Sequence, residues 1–127
     1  MTKILGIDYG SSKVGLALAD LAVGVAMPWK VVKAKDLNIE SLKDCLKAEE
    51  IDKIVVGLPL GMSGGETAQT KEVKRFIQKL KDNLEIEVVS HDERLSTVEA
   101  AKKGKDDAVA AMYILQGYVD KVSKLSI

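Results

Sequence analysis

The chain has 127 residues, 46% of them hydrophobic, and its 19 Lys and Arg residues balance 19 Asp and Glu residues. We expect a single domain over residues 1–127, because this length and composition exclude intrinsic disorder and need no disulfide or metal to stabilise the fold. The zero net charge provides no overall attraction to nucleic acid, and the sequence shows neither a membrane-spanning run nor a signal peptide, so we expect a cytoplasmic protein with no membrane contact.

The first third of the chain predicts three consecutive strands. Lys3–Asp8 and Lys13–Asp20 are short apolar runs, and residues 9–12 (YGSS) between them have the composition of a tight turn. Val23–Val32 shows period-two alternation, which is typical of a strand with one buried face. The alternating residues are Val25, Met27, Trp29 and Val31. Three strands at this spacing predict an antiparallel meander.

Helical and extended patterns alternate in the middle of the chain. Asn38–Glu50 carries apolar residues at helical spacing after a candidate N-cap at Asn38, and Glu66–Leu80 carries a second helical stripe. Between them, Lys53–Gly57 is typical of a strand buried on both faces, and a glycine-rich loop follows it. Glu85–Ser90 predicts one more strand.

The C-terminal part predicts helices. Residues 96–99 (STVE) match a capping box, and a helical stripe runs from Ala108 to Val119 after a candidate N-cap at Asp106 or Asp107. Right-handed crossovers make the fourth and fifth strands parallel to the first. The elements together predict an α/β fold with a mixed five-stranded sheet, in which three antiparallel strands precede parallel strands and helices cover both faces.

Three acidic residues lie at related places in this predicted topology. Asp8 ends the first strand, Glu93 lies just past the last strand, and Asp107 begins the final helix. Functional groups collect at the carboxyl ends of parallel strands, so we expect these acids to converge. Converging carboxylates repel unless a cation lies between them, and a pair of Mg²⁺ or Mn²⁺ ions would support phosphodiester hydrolysis. On this reasoning alone, Asp92 would serve as well as Glu93.

Four short motifs follow one another along the chain. They are residues 6–11 (GIDYGS), 57–60 (GLPL), 92–97 (DERLST) and 107–111 (DAVAA). In this order, and over nearly the whole chain, they resemble the YqgF-type family, whose members are described as pre-16S rRNA nucleases and Holliday junction resolvase homologues. The resemblance implies a ribonuclease H-like fold and nuclease activity that depends on a divalent metal.

The resemblance also implies site residues and partners. The family's acidic residues match Asp8, Glu93 and Asp107, which would be both metal ligands and catalytic residues. The partner would be structured RNA, such as precursor 16S rRNA or a ribosomal precursor particle, or branched DNA bound by a monomer or homodimer. Independently of the resemblance, the hydroxyl and basic side chains suggest candidate contacts to substrate phosphate, which are Ser11, Ser12, Lys13, Arg94, Lys102, Lys103 and Lys105.

Two segments depart from the family pattern. Between Glu93 and Asp107 the chain is shorter than the family usually is, and only a short helical stretch and the basic residues 102–105 (KKGK) remain. The loop at residues 61–64 (GMSG) lacks the Asn and Asp that the family often has there. The first departure affects how Asp107 reaches the other acids, and the second affects contacts to substrate.

Other roles stay open for the same residues and for the whole chain. Asp8 could hydrogen-bond a turn, Asp107 could be only a helix cap, and Ser11 and Ser12 could simply form the hairpin turn. A non-catalytic nucleic-acid or ribosome-associated binding module is the main alternative function. An ATPase or kinase-like protein fits less well, because such enzymes close two domains of this kind around ATP and the chain has no Walker motif.

Overall fold

The structure is a computed structural model that describes residues 2–61, 63–93 and 107–125. Within these residues, the strands are β1 (Lys3–Tyr9), β2 (Lys13–Asp20), β3 (Val25–Lys33), β4 (Lys53–Leu58) and β5 (Glu87–Asp92). The α-helices are α1 (Ile39–Ala48), α2 (Ala68–Asn83) and α3 (Asp107–Leu125), and a 3₁₀ turn at Ala34–Asp36 follows β3. The predicted capping box at residues 96–99 lies outside the described residues.

All the strands belong to one sheet, whose described strands have the order β3-β2-β1-β4-β5. The neighbours β1, β2 and β3 are antiparallel, whereas β4 is parallel to β1 and β5 is parallel to β4. The mixed sheet predicted from the sequence is therefore confirmed. Because β1, β4 and β5 run in the same direction, their carboxyl ends meet at one edge of the sheet.

One face of the sheet carries large aliphatic side chains that pack against α1 and α2. Both helices are amphipathic and turn their apolar stripes towards the sheet, which removes the large side chains from water. The buried residues of this core include Leu5, Ile7, Leu16, Ile54 and Val56 from the strands, Leu42 and Leu46 from α1, and Val73, Ile77 and Leu80 from α2.

The opposite face carries smaller side chains and packs against α3. Its buried strand residues are Ile4, Ala17, Ala19, Ala26 and Val55, and α3 contributes Ala110, Ala111, Ile114, Leu115 and Val119. Small residues let the helix approach closely: a Cβ added to Gly6 of β1 would lie 2.8 Å from the Cβ of Leu115. Helices thus cover both faces, as predicted.

Local capping sets where the first two helices begin. The Asn38 side chain accepts a hydrogen bond from the Ser41 backbone N–H, which confirms the predicted N-cap of α1. The prediction that the second helix begins at Glu66 is wrong by two residues, because Thr67 caps α2 in a reciprocal capping box with Thr70. The buried Thr70 hydroxyl also donates to the Pro59 carbonyl, which ties the loop after β4 to α2.

Two strands differ from their predicted form. The sequence predicts the last strand at Glu85–Ser90, but it lies at Glu87–Asp92, because Leu84 still caps α2 and the pairing with β4 starts at Glu87. In β3 a register shift opposite Leu16 and Ala17 breaks the predicted alternation. No helix in the described part of the chain is both long and apolar enough to cross a bilayer.

Candidate functional site

Asp8 lies in a row of residues that crosses the sheet near the carboxyl ends of the parallel strands. It pairs with Gly15 of β2, and Gly57 of β4 pairs with His91 of β5. The pairing of β1 with β4 continues up to the residues just before Asp8 and Gly57, so these two lie next to each other. Side chains two residues apart share a face, and Gly6 faces α3, so Asp8 also faces α3.

On one side of Asp8, the start of α3 rests on β2. A Cβ added to Gly15 would lie 2.0 Å from the carbonyl oxygen of Asp107 and 2.9 Å from the Ala108 nitrogen. Only a residue without a side chain allows this contact between backbones. Asp107, the first residue of α3, therefore lies above the strand position that pairs with Asp8.

On the other side of Asp8, the Glu93 carboxyl group lies over β4. A Cβ added to Gly57 would be 3.2 Å from the carboxyl carbon of Glu93 and 2.4 Å from the Cδ1 of Ile114. Gly57 therefore leaves room for a carboxyl group that comes from the residue after β5. The two glycines flank Asp8, and each of them makes space for one of the other predicted acids.

Two of the three acids are buried. Asp8 is 8% exposed and Glu93 is 6% exposed, whereas Asp107 is partly exposed. Negative charges that are buried close together are favourable only where positive charge is nearby. The arrangement is therefore suited to a cation, and its donors are all carboxylate oxygens, which are the ligands that Mg²⁺ and Mn²⁺ take.

The structure brings the three acids to the same end of the sheet but does not arrange them around a single metal position. In residues 2–61, 63–93 and 107–125, no three His, Cys, Asp or Glu side chains are grouped closely enough to hold one metal ion. Asp8, Glu93 and Asp107 thus share one end and one face of the sheet but do not form a ready-made ligand cage. The chemistry of the donors fits a hard divalent cation.

His91 completes the row as a packed side chain. It is 6% exposed and lies under α3, where a Cβ added to Gly117 would be 2.8 Å from its Nε2 atom. Nε2 has no hydrogen-bond partner among the described residues. Burial lowers the pKa of His91, Lys121 lowers it further and Asp92 opposes the shift. A neutral imidazole packed in the interior results.

The predicted phosphate contacts fall into two groups. Ser11, Ser12 and Lys13 are exposed and line a cleft of about 370 Å³ together with Lys33 and Lys35, two lysines that the sequence analysis did not single out. Counting residues back along the hairpin from the Asp20–Val25 pair gives Val32 opposite Lys13, and only the register shift at Leu16 and Ala17 brings Lys33 to that position. The other predicted contacts, Arg94, Lys102, Lys103 and Lys105, lie outside the described residues.

Comparison of the sequence with protein families and curated proteins gives consistent matches. A family model described as "RuvX: Holliday junction resolvase" matches residues 2–121. A relative from Endomicrobium trichonymphae is 38% identical over 135 residues, covering 94% of this chain and 96% of the relative. One from Clostridium tetani is 39% identical over 134 residues, covering 94% and 97%. Both relatives carry the name "Putative pre-16S rRNA nuclease".

Comparison with solved structures gives the same fold. RuvC from T. thermophilus, in complex with a Holliday junction substrate, superposes with a TM-score of 0.60 at 12% sequence identity, covering 97% of this chain and 96% of that one. The fowlpox virus Holliday junction resolvase superposes with a TM-score of 0.57 at 14% identity, covering 94% and 99%. The ribonuclease H-like fold that the motifs implied is thereby confirmed.

Proposed function

This chain belongs to the RuvX family of Holliday junction resolvases, and from that membership we propose that it is a divalent-metal-dependent nuclease that hydrolyses phosphodiester bonds in structured nucleic acid. The observation that carries the proposal is the extent of the family match, which runs over residues 2–121 and so includes Asp8, Glu93 and Asp107. Relatives that align along almost their whole length and are named as nucleases support the same activity.

Asp8, Glu93 and Asp107 are the proposed catalytic residues and would hold the metal, two ions of Mg²⁺ or Mn²⁺. When bound, the ions would activate the attacking water and stabilise charge on the phosphate and the leaving oxygen. The described contacts support this assignment. Gly57 leaves space for the Glu93 carboxyl group, and Gly15, the β2 partner of Asp8, allows α3 to begin directly above it. The burial of Asp8 and Glu93 limits competing water at their carboxylates.

The remaining residues of the proposed site act on the phosphate backbone. The hydroxyl groups of Ser11 and Ser12 and the ammonium group of Lys13 lie at the turn just after β1, close to the end of the strand that carries Asp8. They can donate to phosphate oxygens and hold the substrate backbone in register. Arg94 and the lysines at 102, 103 and 105 are proposed to extend this contact.

The proposed substrate is the 5′ end of precursor 16S rRNA, either free or in a ribosomal precursor particle in the cytoplasm. The name shared by the curated relatives supports this choice. The second candidate is a four-way DNA junction, supported by the description of the family. Symmetrical cleavage of a junction needs two active sites and therefore a homodimer, whereas a monomer can trim an RNA end.

A cleavage panel tests the proposal. Purified protein is incubated with a precursor 16S rRNA 5′ fragment, a four-way DNA junction and a linear duplex, each with Mg²⁺, Mn²⁺ or a chelator. We expect metal-dependent cleavage of the RNA fragment, and Asp8→Asn should lower its rate by at least about 10³-fold, since Asp8 would be a ligand of the metal. Asp44→Asn, an exposed acid on α1, provides the matched control and should cleave normally.

The outcomes separate the candidate functions. Cleavage of the junction in preference to the RNA fragment would assign the resolvase activity instead. Binding of either substrate without cleavage under any metal condition would contradict the nuclease and favour a non-catalytic binding module. Equal cleavage by the unsubstituted protein and Asp8→Asn would remove Asp8 from the site.

A further inference from the structure

We infer that Lys33 and Lys35 extend the phosphate contact of Ser11, Ser12 and Lys13 into one larger binding site, here named the lysine cleft, which holds the nucleic-acid backbone beyond the point of cleavage. The inference rests on the proposed function and deepens it, since it assigns a direction in which the bound strand leaves the acids. The lysine cleft consists of Ser11, Ser12, Lys13, Lys33 and Lys35.

Two turns of the chain build the lysine cleft. The turn between β1 and β2 carries Ser11 and Ser12, and the 3₁₀ turn after β3 carries Lys35. A backbone hydrogen bond of 2.8 Å, from the Ala34 N–H to the Ser12 carbonyl, joins the two turns. The relative positions of the hydroxyl and ammonium groups are therefore set by the backbone of the sheet edge, not by flexible side chains alone.

The charges in the lysine cleft are unusual for an ordinary surface. Lys13 and Lys33 are directly opposite each other in the β2–β3 pairing, where like charges destabilise a sheet. Within the described residues, ion pairs form at Lys3, Lys53 and Lys74 but not at the three lysines of the cleft. Asp36 follows Lys35 directly in sequence, but within the described residues it makes no ion pair with the lysines of the cleft. A bound anion would remove the repulsion that the fold leaves in place.

The lysine cleft and Asp8 share one face of the sheet. Lys13 lies two residues before Gly15, the partner of Asp8, so its side chain points to the same face. Two residues of strand span roughly 7 Å, and each neighbouring strand adds roughly 5 Å across the sheet. Lys13 is thus displaced from Asp8 by one strand and two residues, and Lys33 by one strand more. A backbone that crosses Asp8 can continue directly into the cleft.

The chemistry of the lysine cleft identifies its ligand as a chain of phosphates. Lysine ammonium groups and serine hydroxyl groups donate hydrogen bonds and have no negative charge, so they suit anions. Three exposed cations spread over a cleft of about 370 Å³ match successive phosphates of one strand better than a single ion. With no aromatic residue in its lining, the cleft would bind the backbone without reading the bases.

Binding measurements in the Asp8→Asn background test the inference without any cleavage. Fluorescence anisotropy of a labelled four-way junction and of the labelled rRNA fragment is recorded across a series of salt concentrations. Replacing Lys13, Lys33 and Lys35 together by Gln should raise Kd by at least about tenfold near 0.1 M salt. It should also make the slope of log Kd against log salt shallower by about 2 to 3, one for each lost phosphate contact.

The matched control replaces three other exposed lysines, Lys43, Lys47 and Lys81, by Gln and so removes the same total charge. Lys43 and Lys47 lie on α1, and Lys81 lies near the end of α2. We expect the control to keep the salt slope of its parent. An unchanged slope in the cleft variant, or an equal loss in the control, would overturn the inference, as would displacement of the nucleic acid by micromolar inorganic phosphate. Failure of the nuclease proposal can be distinguished from failure of this inference. In that case the unsubstituted protein would not cleave any substrate, but the cleft variant would still show the weaker binding and the shallower salt slope.

Discussion

The two faces of the sheet are packed in different ways. Towards α1 and α2, the strands present large side chains such as Leu5 and Ile54, and the helices approach over a thick layer of aliphatic groups. Towards α3, the strands present glycine and alanine beside a few larger residues such as Ile4 and Val55, and the helix backbone itself touches β2 at Gly15. The first face buries most of the large apolar side chains, whereas the second brings backbone and acidic groups close together. Stability and the candidate site therefore depend on different faces.

The largest expected effect on stability is a deletion on the α1 and α2 face. Leu42 is 1% exposed, so Leu42→Ala should lower the free energy of unfolding by about 3 kcal/mol, through lost transfer energy and a cavity. Urea denaturation measures the change. Nuclease activity per folded molecule should stay unchanged, because α1 lies on the face opposite Asp8. A loss of activity in fully folded protein would show that the two faces are not separate.

Gly15→Ala should have the next largest effect and should damage both stability and activity. The new Cβ would lie 2.0 Å from the Asp107 carbonyl oxygen, and a backbone atom cannot rotate away, so the start of α3 has to move. We expect a loss of about 2 kcal/mol in unfolding free energy and a strong loss of metal-dependent cleavage. Gly65→Ala is the matched control, since among the described residues its Cβ would meet only the Ser63 Oγ at 3.7 Å.

Gly57→Ala should reduce cleavage much more than it reduces stability. Its Cβ would contact the Cδ1 of Ile114, which is the end of a flexible side chain, so unfolding free energy should fall by only about 1 kcal/mol. The same Cβ would be 3.2 Å from the Glu93 carboxyl carbon, and a displaced carboxylate should reduce cleavage by at least about tenfold. Normal cleavage at reduced stability would indicate that the position of Glu93 does not matter for the reaction.

Gly117→Ala should have the smallest effect. The added Cβ would lie 2.8 Å from the Nε2 of His91 and disturb its packing, but alanine favours a helix interior by about 1 kcal/mol over glycine. These terms oppose each other, so we expect a change in unfolding free energy within about 1 kcal/mol. Thermal and urea unfolding check this value. A loss above about 3 kcal/mol would show that His91 cannot move under α3.

Much of the fold could be predicted from local patterns. The bounds of Lys13–Asp20 and the cap at Asn38 agree with the structure, because alternation and capping depend on neighbours within a few residues. The start of β5 was misplaced by two residues because the end of α2 and the pairing with β4 set it. Neither influence is visible in the run of residues from 85 to 90.

The candidate site was predicted in part. The order of motifs led to Asp8, Glu93 and Asp107, and their roles stay proposals that the cleavage panel and the glycine variants test. The parts that lay beyond sequence reasoning are Gly15 and Gly57 as spaces for α3 and for a carboxyl group, and Lys33 and Lys35 as neighbours of Lys13. Each of these depends on strand register or on contacts between elements distant in the chain.

The sequence by itself determined the alternation of strands and helices, the helix caps and the family to which the chain belongs. Each of these depends only on residues close together in the chain or on the order of short motifs. Only the tertiary structure decided which glycines meet which elements and which lysines face each other. The physical reason is that these contacts arise from parallel and antiparallel register across the sheet, where a slip of one residue would turn every side chain to the opposite face.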